Sequence, residues 1–360
     1  MKRYEADTRI ISGHGAAAAL QEYGAQRLLM VTDPFFYENS TAARIAAAAK
    51  AQKVTYFHKV KPDPSVELAA EGTALVREVK PDLIVALGGG SAIDCAKAML
   101  YFSGSEARFV AIPTTSGSGS EVTDFAILTH KGVKHPLVDE RLRPDMAILD
   151  STLLEQMPKS LIADAGFDVI SHALEAYVAA NAGMITDALA KDAFCTVYAL
   201  LPASYGGNTD VRLKIHTAAT MAGMAFTQAG LGLCHAMAHS LGGAFHLPHG
   251  RLNAMLLPAV ISCNAYAAGE KYARIAGAAG IGGSAQTMAV RSLNNALVRL
   301  RRELNMPATL AQAGIEPAAV RSNADKLVEA VLADPCCTTN PMKVEGYMVR
   351  RILEEVTGRV

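Results

Sequence analysis

Neither sign of charge accumulates in this chain. Its 360 residues hold 34 Lys and Arg against 34 Asp and Glu, without a basic block, which argues against nucleic-acid binding, where clustered cations at phosphates supply the affinity. The sequence is not short of apolar residues either: 51% hydrophobic against 19% charged excludes a disordered chain and leaves enough material for a large core. The polar stretch Met1–Arg9 lacks the apolar segment and small-residue cleavage site of a secretory leader, so secretion is not expected. No run of about 18 uncharged apolar residues stands out, and no membrane span is expected. A CxxC pair is also missing. Cys95, Cys195, Cys234, Cys263 and the adjacent Cys336 and Cys337 form neither a disulfide framework nor a zinc knuckle, and read as reduced thiols of a cytoplasmic protein.

What is present falls into two textures. Over the first 150 residues, short apolar runs alternate with helical stretches. Strands are expected at Arg27–Thr32, Lys53–His58, Asp82–Leu87 and Phe109–Ile112, and helices at Ala42–Ala51, from a Ser65 cap to Val79, and at Ala92–Phe102. That rhythm predicts right-handed crossovers and a mostly parallel sheet. Beyond Leu154 proline thins out and apolar residues recur at three and four. Leu161–Ala179, Asp187–Leu201, Val211–Thr227 and Gly232–Phe245 read as helices. The expected organisation is an α/β domain over 1–156 and an all-helical domain over 157–360, packed with a cleft between them.

Two loops at strand ends point to a nucleotide. Gly88-Gly89-Gly90-Ser91 joins a buried strand to a helix, where glycine lets the backbone approach a phosphate and the helix start offers free N–H groups. It is not the GxGxxG fingerprint, and alone it is no more than a tight turn. Pro113–Glu121 (PTTSGSGSE) adds five hydroxyls and two glycines after the next strand, at the sheet edge where ligands of parallel sheets bind. Asp94 and Lys97, early in the helix after the glycines, are within reach of a ribose or amide. Asp33 follows the first strand, where an acid accepts from ribose hydroxyls and repels a 2′-phosphate, favouring NAD over NADP; otherwise it is a turn residue before Pro34.

A second group of residues points to a metal. Asp168 and His172 are four apart, on one face of a helix. His235 and His239 repeat that spacing, and His249 follows in a Pro-Gly turn. One carboxylate with several neutral imidazoles suits ferrous iron or zinc and leaves a position for a substrate oxygen. A nucleotide loop with an open metal implies hydride transfer.

Four motifs in order resemble the iron-containing (group III) alcohol dehydrogenase family: Gly88–Asp94 (GGGSAID), Pro113–Thr123 (PTTSGSGSEVT), Gly166–Glu175 (GFDVISHALE) and the segment His235–Gly250. The resemblance spans nearly the whole chain. It implies a Rossmann-like N-terminal domain and an all-α metal-binding C-terminal domain, the fold shared with dehydroquinate synthase. It also implies NAD(H)-dependent interconversion of alcohols and aldehydes. Carried over residue by residue, the metal ligands are Asp168, His172, His235 and His249, with Fe²⁺ the expected ion and Zn²⁺ the alternative. His239 matches a histidine near the substrate and nicotinamide. Cofactor contacts fall on Asp33, Gly89, Gly90, Ser91, Asp94, Thr114, Thr115, Ser118, Thr123, Lys134 and Leu153.

Within the family, Gly223–Leu233, Phe245–Gly250 and Thr338–Pro341 are similar to the 1-propanol or ethanol dehydrogenases of bacterial microcompartments. This implies reduction of a short aldehyde, with a CoA-acylating aldehyde dehydrogenase or the compartment shell as partner, in a homodimer or larger homo-oligomer. Cys234, beside ligand His235, departs from the family pattern and is expected to sensitise the site to oxygen if it lies near the metal. Phe125, Phe226 and Phe245 are candidates to line a small pocket. Rival readings are a glycerol or polyol dehydrogenase of the same fold, whose substrate wants more acids and lysines, and an idle scaffold, which needs no convergent ligands. A metallohydrolase leaves both nucleotide loops without a role.

Overall fold

In the computed structural model, residues 4–130 and 133–358 are described. The start of the polar N-terminal stretch, Met1–Arg3, lies outside them. The first part of the chain runs β1 (Arg9–Gly13), β2 (Arg27–Thr32), α1 (Pro34–Glu38), α2 (Thr41–Ala48), β3 (Lys53–Phe57), α3 (Val66–Val79), β4 (Leu83–Gly88), α4 (Gly90–Ser103), β5 (Arg108–Pro113), β6 (Phe125–His130), β7 (Val133–Val138) and β8 (Met146–Asp150). Six strands form one sheet in the order β1-β8-β5-β4-β2-β3, with every pairing parallel. β4 shows why the sheet sits inside. Its alternate residues Leu83, Val85 and Leu87 pack into one apolar cluster, while Ile84 and Ala86 pack into another. Both faces are therefore covered, and the uninterrupted apolar run is the sequence form of a two-sided burial.

The four expected strands are present. Four strands escaped the sequence reading: the edge strand β1, its partner β8, and the antiparallel pair β6 and β7. Each is short, and β1 is half exposed, so none shows a strong period. Ser65 caps α3 by accepting from the Leu68 N–H at 3.1 Å.

The rest of the chain is α5 (Lys159–Val178), α6 (Met184–Tyr205), α7 (Arg212–Ala229), α8 (Leu233–Phe245), α9 (His249–Ala278), α10 (Gln286–Glu303), α11 (Pro317–Ala333) and α12 (Gly346–Thr357). α9 contains a stretch the sequence reading passed over, Leu252–Gly269, with no charged residue. It is long and apolar enough to cross a bilayer, but its most apolar window is 67% buried within the protein. Asn253 and Asn264, both buried, are hydrogen-bonded there, as befits a core helix.

Two compact units result. One joins Glu5–Met157 with Arg212–Gly223; the other joins Pro158–Val211 with Met224–Val360. This differs from a division at residue 157, because the first half of α7 packs with the α/β unit. Gly119, at φ +65°, lies against Gly223 so closely that a Cβ on it would stand 2.7 Å from the Gly223 Cα. Arg212 donates to the carbonyls of Leu154 and Glu155. His216 and Thr220 hydrogen-bond Ser116 and Glu121 at 2.9 and 2.6 Å.

Candidate active site

The helical unit gathers one carboxylate and three imidazoles. Asp168 and His172 come from one face of α5, His235 from the first turn of α8, and His249 opens α9. Between the two last helices the chain reverses through His246, in the left-handed region at φ 55°, so the Pro-Gly turn delivers His249 back toward α8. Asp168 Oδ1 lies 3.6 Å from His249 Nε2, 3.9 Å from His235 Nε2 and 4.0 Å from His172 Nε2. Ligands around a tetrahedral ion at about 2.1 Å stand about 3.4 Å apart, so these atoms are a few tenths of an ångström from a first coordination sphere. The donor set fits a borderline divalent cation.

The surroundings favour the ligand forms. Burial pushes His235 well below the ordinary imidazole range, aided by His172 and His239, which keeps it neutral. Asn253 donates to Asp168 Oδ1 at 2.9 Å, fixing that carboxylate. Cys234 stands one side chain away from the cluster: its thiol contacts Asn253 Oδ1 at 3.5 Å, and burial raises it well above the usual range. It is a protonated core thiol. Phe226 stacks on His172 at 4.4 Å between ring centres. Phe125 belongs to the other unit, where Lys97 lies over its ring at 5.9 Å.

Sequence reasoning missed the carboxylate behind this cluster. Glu175 follows Asp168 and His172 on the same face of α5, and that i, i+4, i+7 spacing was its available signal. It is 3% exposed and accepts from the N–H groups of Cys234 at 2.7 Å and Gly232 at 3.0 Å, and pairs with His235 Nδ1 at 2.6 Å. Burial raises its carboxyl to about 7, opposed by those N–H groups. Asn340, from the Thr338–Pro341 motif, accepts from the Leu233 N–H at 3.2 Å. Together the two side chains satisfy the start of α8, which has no cap of its own.

His239 takes a different partner. Its Nδ1 pairs with Asp334 at 2.8 Å and its ring stacks on that of His249 at 5.2 Å. Asp334 and Cys336 come close enough to His239 to form a second potential ligand group. Both Asp334 oxygens are already engaged, one by His239 and the other by the Cys336 N–H at 2.8 Å, so we read the group as a support for His239.

In the α/β unit, the two loops meet at the end of β4 and β5. Gly89 caps α4, and Gly90 begins it with its Cα so close to Ser118 that a Cβ would meet the hydroxyl at 2.8 Å. A Cβ on Gly89 would stand 3.3 Å from the Thr115 hydroxyl, and the Thr114 N–H donates to the Gly88 carbonyl at 3.0 Å. Gly89, Gly90, Ser91, Thr115 and Ser118 are partly exposed, with the N–H groups of the α4 start among them. Asp33 caps α1 through the Phe36 N–H at 3.0 Å and turns its other oxygen toward Gly88, at 3.6 Å from a Cβ there. It can serve the turn and the nucleotide loop at once.

Other candidates have partners within the protein. Lys97 is fully buried and donates to the Thr123 hydroxyl and carbonyl and to the Phe125 carbonyl, all within 2.9 Å, which removes it from a ribose. Burial pushes it down to about 8, against the pull of Asp94 and Glu121. Asp94 accepts from Ser120 and from the Ile127 N–H at 3.0 Å. Thr123 is buried under Lys97, Leu153 packs in the core, and Lys134 pairs with Asp63 at 2.7 Å.

Family models match both parts: iron-containing alcohol dehydrogenase over residues 7–151, and its C-terminal domain over 162–357. The chain belongs to the iron-containing alcohol dehydrogenase family. It is 39% identical to the 1-propanol dehydrogenase PduQ of Citrobacter freundii, over 99% of this chain and 100% of that one. It is also 39% identical to an NADPH-dependent butanol dehydrogenase of Clostridium saccharobutylicum, over 84% and 83% of the two chains. The structure of an iron-containing alcohol dehydrogenase from Thermococcus thioreducens superposes with a TM-score of 0.91, at 33% identity and coverage of 98% and 99%. This chain is therefore an oxidoreductase of an alcohol dehydrogenase family that works with a nicotinamide cofactor and a metal.

Proposed function

We propose that this alcohol dehydrogenase interconverts a short primary alcohol and its aldehyde, 1-propanol and propanal or ethanol and acetaldehyde, with NAD(H) and iron. The reading rests chiefly on the convergence of Asp168 with three imidazole Nε2 atoms at 3.6–4.0 Å; the full-length likeness to a 1-propanol dehydrogenase supports a short substrate. Asp168, His172, His235 and His249 would hold the metal. When bound, that ion supplies a Lewis acid that polarises a carbonyl and stabilises the corresponding alkoxide.

The chain's own residues do the remainder. The start of α4, with Gly89, Gly90 and Ser91, offers N–H groups to the cofactor phosphates, and Thr114, Thr115 and Ser118 line the facing loop. Asp33 would accept from the adenosine ribose and disfavour a 2′-phosphate. Asp94 and Thr123 brace the second loop through Ser120 and Lys97, and Lys134 and Leu153 would contact the cofactor. Asp334 accepts from the Nδ1–H of His239, so that Nε2 can take a proton from water and pass it to the oxygen of the reduced product, returning the ring to its neutral form. In the cell we place the enzyme in the cytoplasm, inside a bacterial microcompartment, as a homo-oligomer. There it regenerates NAD⁺ for a CoA-acylating aldehyde dehydrogenase.

The test is anaerobic oxidation of NADH with propanal, using protein stripped of metal and refilled with Fe²⁺ or Zn²⁺. Turnover restored by Fe²⁺ and lost with NADPH is the expected result. Metal uptake without turnover of any short aldehyde would overturn the substrate assignment in favour of a polyol.

A further inference from the structure

We infer that Glu175 is the positioning residue of the metal centre: it sets the tautomer of His235 and, by capping α8 at the same time, ties the imidazole's orientation to the helix that carries it. The inference rests on His235 being a ligand. Glu175 faces the N–H groups of Gly232, Cys234 and His235 at 3.0, 2.7 and 3.4 Å. A side chain surrounded by donors must accept, so the ring atom 2.6 Å away, His235 Nδ1, is the one that bears the proton. The lone pair is then on Nε2.

A second group agrees. Asn253 directs its amide nitrogen at both Asp168 Oδ1, at 2.9 Å, and His235 Nε2, at 3.4 Å, while its oxygen faces the Cys234 thiol. Its donor face meets two acceptors, which again places the lone pair on Nε2, toward Asp168. Space is reserved for the arrangement: a Cβ on Gly232 would stand 2.9 Å from Glu175 Oε1 and equally near Asn340 Oδ1. Carboxylates behind a ligating imidazole hold its ring and raise its basicity, and their loss costs about 10–100-fold in metal affinity.

Glu175→Gln discriminates between this role and a merely structural one. The backbone N–H groups cannot change, so the amide keeps its oxygen on the Cys234 N–H, the shortest of those bonds, and turns its NH₂ to the Oε2 position, toward His235 Nδ1, giving up the Gly232 bond. The imidazole then accepts at Nδ1, and Nε2 acquires the proton. Side-chain ¹H–¹⁵N NMR of the metal-free protein, with the His235 signal assigned from His235→Ala, should show Nδ1–H in the wild type and Nε2–H in Glu175→Gln. Zn²⁺ affinity, read by competition with a chromophoric chelator, should fall by about 10–100-fold. An Nε2–H tautomer in the wild type would overturn the inference even if the variant does not fold. So would a folded Glu175→Gln that binds Zn²⁺ within about twofold of the wild type. Undiminished binding by His235→Ala would instead remove His235 from the ligand set.

Discussion

Acid should loosen the loop proposed to hold the cofactor through a single buried imidazole. His216, on α7, is 1% exposed; its Nδ1 bonds the Ser116 hydroxyl at 2.9 Å and its Nε2 has no partner. Burial holds it down to about 4, outweighing the Pro113 carbonyl and the field of Asp150, which pull the other way. In the unfolded chain an ordinary histidine titrates near 6.5. Between those values the unfolded state binds a proton that the folded state refuses, so stability is full above pH 6.5 and falls as the pH drops toward 4. The difference of about 2.5 units amounts to roughly 3 kcal/mol at 1.36 kcal/mol per unit. Urea unfolding of the wild type and of His216→Gln at pH 7, 5.5 and 4.5 isolates this contribution, since every other group titrates in both proteins. The stability gap should shift in favour of the variant by about 2–3 kcal/mol across that range. Parallel pH profiles would refute the reasoning and mean that His216 is hydrated.

Three other outcomes are expected. At 100 times its dissociation constant, Zn²⁺ should stabilise the wild type by about 2.7 kcal/mol and raise its Tm, whereas His249→Ala should show little or no shift in the same thermal scan. Gly90→Ala should push the Ser118 loop away and weaken NADH binding by about tenfold, or ~1.4 kcal/mol; Ser118→Gly should restore much of it, and additive effects in fluorescence titration would refute that contact. Asp33→Asn keeps the α1 cap but removes the charge, so kcat/KM with NADPH relative to NADH should rise about tenfold or more; an unchanged ratio would show that Asp33 serves only the turn.

Much of this protein is decided by pattern alone. The apolar run at Asp82–Leu87 is a strand buried on both faces whatever surrounds it, because only two-sided burial favours an uninterrupted run. The four-residue spacing of Asp168 and His172 places both on one helical face, and Glu175 completes that face at i+7. The change from alternating strands and helices to helices alone is equally local, because each period belongs to one kind of element. Weak elements such as β1 were not legible, since an exposed edge strand need not alternate.

Tertiary structure decided which of several equivalent residues does what. His235 and His239 share a helix and a spacing, yet Glu175 holds one beside Asp168 and Asp334 draws the other away. Lys97 stands early in the helix after the glycine loop, within reach of a ribose by its position in the sequence, but three oxygens of the β6 approach claim it. Residues 212–223 look like any other helix, yet they pack with the α/β unit because Gly119 and Gly223 let two backbones touch. Partners separated by about a hundred positions meet only when the chain is packed, and no period in the sequence records that meeting.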